Sequence, residues 1–132
     1  MADVLSQKAR ELITRPVLAT LTTVNIDGSP QSTPVWVGLD GDDVLFNTAR
    51  GRAKARNVER DPRVAVTVID PDDPYNVVAF GGTVTGITTE GADAHIDALA
   101  KKYLGVDSYP RRREGEVRIR ITVRTERIVM QG

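Results

Sequence analysis

Residues 116–130, "EVRIRITVRTERIVM", alternate almost strictly between apolar and charged or polar side chains. Val117, Ile119, Ile121 and Val123 fall on one side of an extended chain, and Arg118, Arg120, Thr122 and Arg124 on the other. A period of two suits a half-buried antiparallel strand and not a helix, whose faces repeat every 3.6 residues. The chain is thereby committed to a sheet with one face on a core.

Other segments supply the partners. "VLATLTTVN" (17–25) is rich in β-branched residues and is followed by "NIDGSP", an Asp-Gly turn. "QSTPVWVGL" (31–39) is a second strand, and its Pro34 belongs at an edge, at a bulge, or where a ligand takes the place of a neighbouring strand. "DGDD" turns the chain into "VLFNTA" (44–49), completing a meander. "RVAVTVID" (63–70) is a buried strand, "PDDPYN" reads as a proline-broken loop, and "VVAFGGTVTGIT" (77–88) is a long strand. Gly81-Gly82 marks a bulge or a close backbone approach within it.

Helical spacing appears in three places. In "DVLSQKARELITRP" (3–16), Leu5, Ala9, Leu12 and Ile13 form one stripe, with Asp3 as N-cap and Pro16 as the stop. The basic segment before Pro62 has room for about two turns. In "TTEGADAHIDALAKKYLG" (88–105), Thr88 or Thr89 caps the start, Gly105 the end, and Ile96, Leu99, Ala100 and Tyr103 make the stripe. The expected fold is mainly β (α+β): a six-stranded antiparallel split β-barrel with short flanking helices, one domain over 1–132. Such a barrel has little interior, so a large ligand belongs outside it or between two copies.

Eighteen basic and eighteen acidic residues cancel, so no overall field draws in DNA or an anionic membrane. Nucleic-acid binding through "RGRAKAR" and "YPRRR" is disfavoured further by the lack of an aromatic platform. No segment approaches the roughly 20 apolar residues of a membrane span. Cysteine is absent, which excludes thiolate metal sites and cysteine nucleophiles and suits a reducing cytoplasm. The single histidine, His95, has Asp93 and Asp97 on divergent helix faces, so no metal site is expected and His95 reads as a surface residue. With no histidine triad available, any catalysis needs a bound cofactor, and no catalytic side chain is assigned.

"NTARGRAKARNVERDP" (47–62), with Arg63 beyond it, sets six basic groups against two acids. It can be a solvated helix, a nucleic-acid patch or a seat for a small anion. On a helix Arg52 and Arg56 share a face while Lys54 points away. The cations converge only if Arg52 stays in the loop and the anion sits at the helix N-terminus, where free N–H groups favour it.

The order Asn47-Thr48, Lys54, Asp61-Pro62 resembles the flavin-binding segment of the pyridoxamine 5′-phosphate oxidase-like split-barrel superfamily. There a polar or aromatic residue and a Thr end the third strand, a Lys follows six residues later, and an Asn-Pro or Asp-Pro pair leads into the fourth. The series "LATL", "DG", "PVW" and "R-x-K-x-R-N" looks like the branch using the deazaflavin coenzyme F420 in place of FMN. The resemblance implies that Ser32, Thr33, Pro34, Val35 and Trp36 run along the cofactor ring. It implies further that Asn47 and Thr48 meet the ribityl chain or phosphate, and that Arg52 and Lys54 hold the phosphate with Arg56 and Asn57 close by. Trp36 and Tyr75 would line a substrate pocket, and the "PRRR" loop could grip the glutamate tail of F420. A homodimer with cofactor in the cleft between chains is also implied.

Three positions depart from the family pattern. Ala53 stands where FMN oxidases carry a second basic residue, Asn76 is only the nearest match for a polar residue before the strand-five glycine, and "RIRITVRTERIVMQG" lacks the arginines that hold pyridoxal phosphate. The expectation is an F420-dependent oxidoreductase acting on a small electron-poor substrate. The alternatives are an FMN-binding reductase or oxidase and a non-catalytic cofactor or heme binder.

Overall fold

The computed structural model describes residues 3–131. Seven strands and three helices follow one another as α1 (Gln7–Thr14), β1 (Ala19–Val24), β2 (Pro30–Val35), β3 (Gly38–Asp40), β4 (Asp43–Ala49), α2 (Ala53–Arg60), β5 (Arg63–Asp70), β6 (Asp73–Thr88), α3 (Ala92–Leu104) and β7 (Arg118–Met130). All pairings are antiparallel, in the order β2-β1-β5-β6-β7-β4-β3.

The expected count of six strands is corrected to seven, because the second strand breaks. β2 pairs with β1 through Val35, and β3 pairs with β4 from Gly38, so Trp36 and Val37 form a corner that belongs to neither ladder. β2 and β3 are opposite edges of the sheet, yet three Cα–Cα steps, about 11 Å at most, join them. The sheet must therefore curl until its edges approach. The sheet is not closed: its edges are joined along the seam by the chain and not by a ladder, which is consistent with a split barrel. Pro34, with no N–H to give, sits on the edge strand β2 as its chemistry requires.

The interior is filled from every strand and from α1. Phe46, Phe80, Leu21, Val66, Val78, Ile119, Ile121 and Val123 are buried from the sheet, and Leu5, Ala9, Leu12 and Ile13 from α1 and its approach. Ser6, and not Asp3, caps α1, its hydroxyl accepting from Ala9 N at 3.1 Å. Asp3 instead accepts from Ile128 N at 2.7 Å, tying the start of the chain to β7. The cap of α3 is likewise Gly91 in the left-handed region, without a side-chain bond, while Thr88 accepts from Glu90 N one turn earlier. "PDDPYN" is no loop: Pro71-Asp72 is a tight turn and β6 already begins at Asp73, because Asp70 caps the turn through Asp72 N at 2.9 Å and holds Asn76 at 3.1 Å. Among the described residues no helix is long and apolar enough to cross a membrane.

The pairing of β6 with β7 shifts register between Gly81 and Gly82. A Cβ at Gly82 would lie 2.7 Å from Val123 Cγ1 and 2.8 Å from Arg124 O, whereas one at Gly81 would meet only Val64 O, at 4.0 Å. Gly82→Ala is expected to destabilise the fold by about 1–3 kcal/mol, as overpacking does. Gly81→Ala should cost clearly less. Urea denaturation of the two variants measures the difference.

Candidate functional site

Beside the Trp36-Val37 corner lies a groove of about 410 Å³. Pro34, Val35 and Trp36 line it from the corner, Asn47, Arg52, Lys54 and Arg118 form its polar floor, and Tyr109, in contact with Trp36, lines it together with Pro110 and Arg111. Leu18, Ile96, Leu99 and Leu104 supply apolar surface. Of the residues expected at a site from sequence, six line this groove: Pro34, Val35, Trp36, Asn47, Arg52 and Lys54.

The remaining five lie elsewhere. Ser32 is exposed on β2 and its hydroxyl bonds Thr22 at 2.7 Å. Thr33 is its half-buried neighbour. Thr48 shares the inward face of β4 with Phe46, its hydroxyl buried without a hydrogen-bond partner among the described residues. Arg56 is exposed. Asn57 is buried, and its amide donates to Thr23 Oγ1 at 3.0 Å and Asn25 Oδ1 at 2.9 Å, which ties α2 to the β1–β2 hairpin. Its part is to seat the helix. Tyr75, expected on a substrate pocket, is 91% exposed at the start of β6 and lines no part of the groove.

α2 starts late enough for the cations to converge. Gly51 has φ +90°, which a glycine accepts without strain, and Arg52 is the extended N-cap residue with no side-chain cap. Arg52 and Lys54 thus reach the same groove from the loop and the first turn. The Lys54 ammonium makes no hydrogen bond or ion pair with the described residues. Burial, then the nearby Arg52 and Arg118 guanidiniums, push it below its ordinary pKa. A half-buried cation held among like charges is an unsatisfied demand for an anion.

Arg118, on the polar face of β7, is a site residue that its sequence context alone does not reveal. It is 4% exposed, donates from Nε to Asn47 Oδ1 at 2.9 Å and from Nη1 to Glu116 Oε1 at 3.0 Å, and packs over the Tyr109 ring at 5.1 Å. Glu116 reaches on to Arg52 at 3.5 Å. The local signal is the pair Glu116 and Arg118, opposite charges two apart at the entry to β7. The aromatic wall is also built. Trp36 stacks on Tyr103 at 5.2 Å and meets Tyr109 edge-on at 5.9 Å. The Tyr103 hydroxyl receives Val37 N at 3.1 Å and donates to Val17 O at 2.7 Å, while Lys102 donates to Ile13 O and Val37 O. These bonds fix the corner and so the pose of Trp36.

Arg112 pairs with Asp93 and Asp97 at 3.0 and 2.6 Å, and Asp97 also accepts from Tyr109 N at 2.8 Å. The "PRRR" loop is therefore strapped to α3, leaving Arg111 on the groove.

Span 5–130 matches the family model described as pyridoxamine 5′-phosphate oxidase. The chain belongs to this family. An F420 reductase of known structure superposes on it with TM-score 0.82 and 31% identity, covering 94% of this chain and 98% of the reductase. A conserved hypothetical protein from Mycobacterium tuberculosis gives 0.73 and 24%, over 97% and 86% of the two chains. HutZ, the heme storage protein from Vibrio cholerae, gives 0.64 and 14%, over 95% and 92%. The last two share the fold of this pyridoxamine 5′-phosphate oxidase family member, and that alone follows from them.

His95 is no surface residue. It lies under Asn47, whose Nδ2 donates to Ala92 O at 2.9 Å and faces His95 Nδ1 at 3.1 Å. Because Asn47 Oδ1 accepts from Arg118 Nε, its amide orientation is settled, His95 Nδ1 accepts, and the imidazole proton sits on Nε2, which is buried with no hydrogen-bond partner among the described residues. Burial, then Arg120 and Arg118, depress the His95 pKa to about 4. Its ordinary value is near 6.5, so between pH 6.5 and 4 the unfolded chain binds the proton that the folded chain refuses. Stability contributed by neutral His95 is complete above pH 6.5 and is lost as the pH falls towards 4. Replacing it in His95→Gln should remove close to one proton from the pH dependence of unfolding in this window, read from urea denaturation of both proteins across pH 4–7.

Proposed function

We propose that this chain is an F420-dependent oxidoreductase, working as a cytoplasmic homodimer in which residues 1–132 act as one deazaflavin-binding unit. The observation that carries the reading is the partly desolvated, unpaired Lys54 beside Arg52 and Arg118 in a groove walled by Trp36. The likeness to an F420 reductase over nearly both chains supports it.

The residues present suit a ring with an anionic arm. Arg52 and Lys54 would hold the phosphate, helped by the uncapped first turn of α2. Asn47 belongs near the ribityl chain, and Pro34, Val35 and Trp36 along the ring. Arg111 is free for the carboxylates of the glutamate tail, since no ion pair with the described residues engages it. When bound and reduced, the deazaflavin supplies a hydride to an electron-poor acceptor such as an enone, imine, quinone or tetrapyrrole. The chain's own part is to bind, orient and exclude water: Trp36 and Tyr109 cover the apolar side of the groove, and the partner of a twofold pair would close its mouth near Leu18 and Leu104, which are 54% and 52% exposed.

Titration with F420, followed by hydride transfer from reduced F420 to a quinone, tests the reading. Binding of F420 without transfer to any acceptor class would favour a carrier or storage role. A yellow protein that retains FMN through purification, and ignores F420, would replace the deazaflavin by FMN in the same groove. Lys54→Ala is expected to weaken F420 binding at least about tenfold, the scale of one lost charge-assisted contact. Its melting temperature should not fall much, because the ammonium is partly desolvated and makes no bond with the described residues that its removal would break. An unchanged Kd would take the lysine out of the site.

A further inference from the structure

Among the described residues, Glu116 is the one carboxylate wired into the cationic floor of the groove, and it has no task in holding the ligand. Its side chain is 7% exposed. Its two oxygens are unequally engaged. Oε1 is held by Arg118 Nη1 at 3.0 Å, and Arg118 is itself locked by Asn47 and covered by Tyr109. Oε2 meets Arg52 Nη2 at 3.5 Å, and the Arg52 side chain is 46% exposed with no other partner among the described residues. One end is anchored and the other is loose.

Consider the charges. Arg52, Lys54 and Arg118 are three cations against this one carboxylate, which leaves two positive charges. Like charges this close repel by an amount that a partly buried site does not screen away. Burial first, and Arg52 and Arg118 after it, hold the Lys54 pKa below its ordinary value, yet Glu116 makes no bond to it. Glu116 thus holds two of the three cations in place and leaves the third to an incoming ligand. An anion that seats on Lys54 and Arg52 competes with Oε2 for the Arg52 guanidinium, which is the weaker of the two Glu116 contacts.

We propose that Glu116 is an internal counter-anion that sets the affinity of the groove for the anionic arm of its ligand. It occupies Arg52 when the groove is free, yields it when a phosphate or carboxylate arrives, and keeps Arg118 compensated in both states. It touches neither ring nor reacting atoms and is a positioning residue. The inference rests on the proposed groove being the site of a phosphorylated ligand, and it is indifferent to which flavin-like ring the ligand carries.

The test uses two pairs of probes that differ in the anionic arm: F420 against its ring-and-ribityl fragment, and FMN against riboflavin. Fluorescence titration of the full chain and of Glu116→Gln is run at low and at moderate salt. Removing the carboxylate should tighten binding of the phosphorylated member of a pair about fivefold or more, consistent with loss of one charge near 4 Å at a screened surface. The arm-free member should be unaffected, and the variant's affinity should fall more steeply with salt. Glu116→Asp keeps the charge and shortens the reach, so its salt dependence should stay that of the parent. A melting curve of each variant without ligand separates loss of fold from change of affinity. If Glu116→Gln is destabilised by release of Arg118, Arg52→Gln provides the second reading: it removes the contested partner, and adding Glu116→Gln on that background should give a smaller gain than on the parent.

Equal affinities and equal salt dependence of parent and Glu116→Gln would overturn the inference while leaving the groove's identity intact. Weaker binding by the variant would overturn it too, making Glu116 a brace that preorganises the arginines. Failure of all four probes to bind the parent would sink both this inference and the proposed function. Binding of the FMN pair alone, with the predicted gain, would uphold the role of Glu116 and overturn only the choice of deazaflavin.

Discussion

Joining the two edge strands of a sheet through only two residues is the constraint from which the rest follows. Trp36 and Val37 bring β2 and β3 together, and five further strands must curve to allow it. The corner leaves ladder order just where backbone groups would otherwise be orphaned. Tyr103 takes Val37 N, and Lys102 takes Val37 O, so one helix supplies both partners. Burial pushes the Lys102 ammonium down to about 8, the cost of placing it there. The same geometry turns the Trp36 ring outward against Tyr103 and Tyr109, where it becomes a wall. Fold and groove share one origin.

A second constraint is electrostatic and local. The chain is neutral overall, yet cations from the β4–α2 loop, the first turn of α2 and the start of β7 meet on one floor. Each is placed by backbone: Gly51 delays the helix so that Arg52 remains extended, and Arg118 is aligned with Ala49 by the β4–β7 register. Asn47 links them to α3 by donating to Ala92 O and His95 and accepting from Arg118. A neutral histidine below and a carboxylate to the side are what allow so many guanidiniums to share a small volume.

Much of this was legible in the residues. Alternation from Ile119 to Val123 located β7 and its inward face, because period two has no other use. The glycine pair in β6 announced its bulge, and the stripe of α1 placed Leu5, Ala9, Leu12 and Ile13 in the core. The order of Asn47-Thr48, Lys54 and Asp61-Pro62 singled out Lys54, which lines the groove with Asn47 and Arg52. What escaped was set by pairing across long separations. The break at Trp36 depends on which strands flank β2 and β3, and no local signal distinguishes it from a continuous strand. His95 looked exposed because its helical neighbours are charged, whereas its burial comes from Asn47, 48 residues away. Arg118 looked solvated for the same reason, before α3 and Tyr109 were known to cover that face. Asn57 was assigned by proximity to the cations, but helix geometry turns it towards Thr23.

The sheet order also has a consequence for how the chain comes to exist. β7 lies between β6 and β4, so the β3–β4 hairpin has no place on the sheet until β7 arrives. Until β7 pairs, β4 and β6 each present an unpaired edge, the kind of edge that invites pairing with another chain. β7, the last of the seven strands in chain order, fills that gap and pairs both edges at once, as a keystone does.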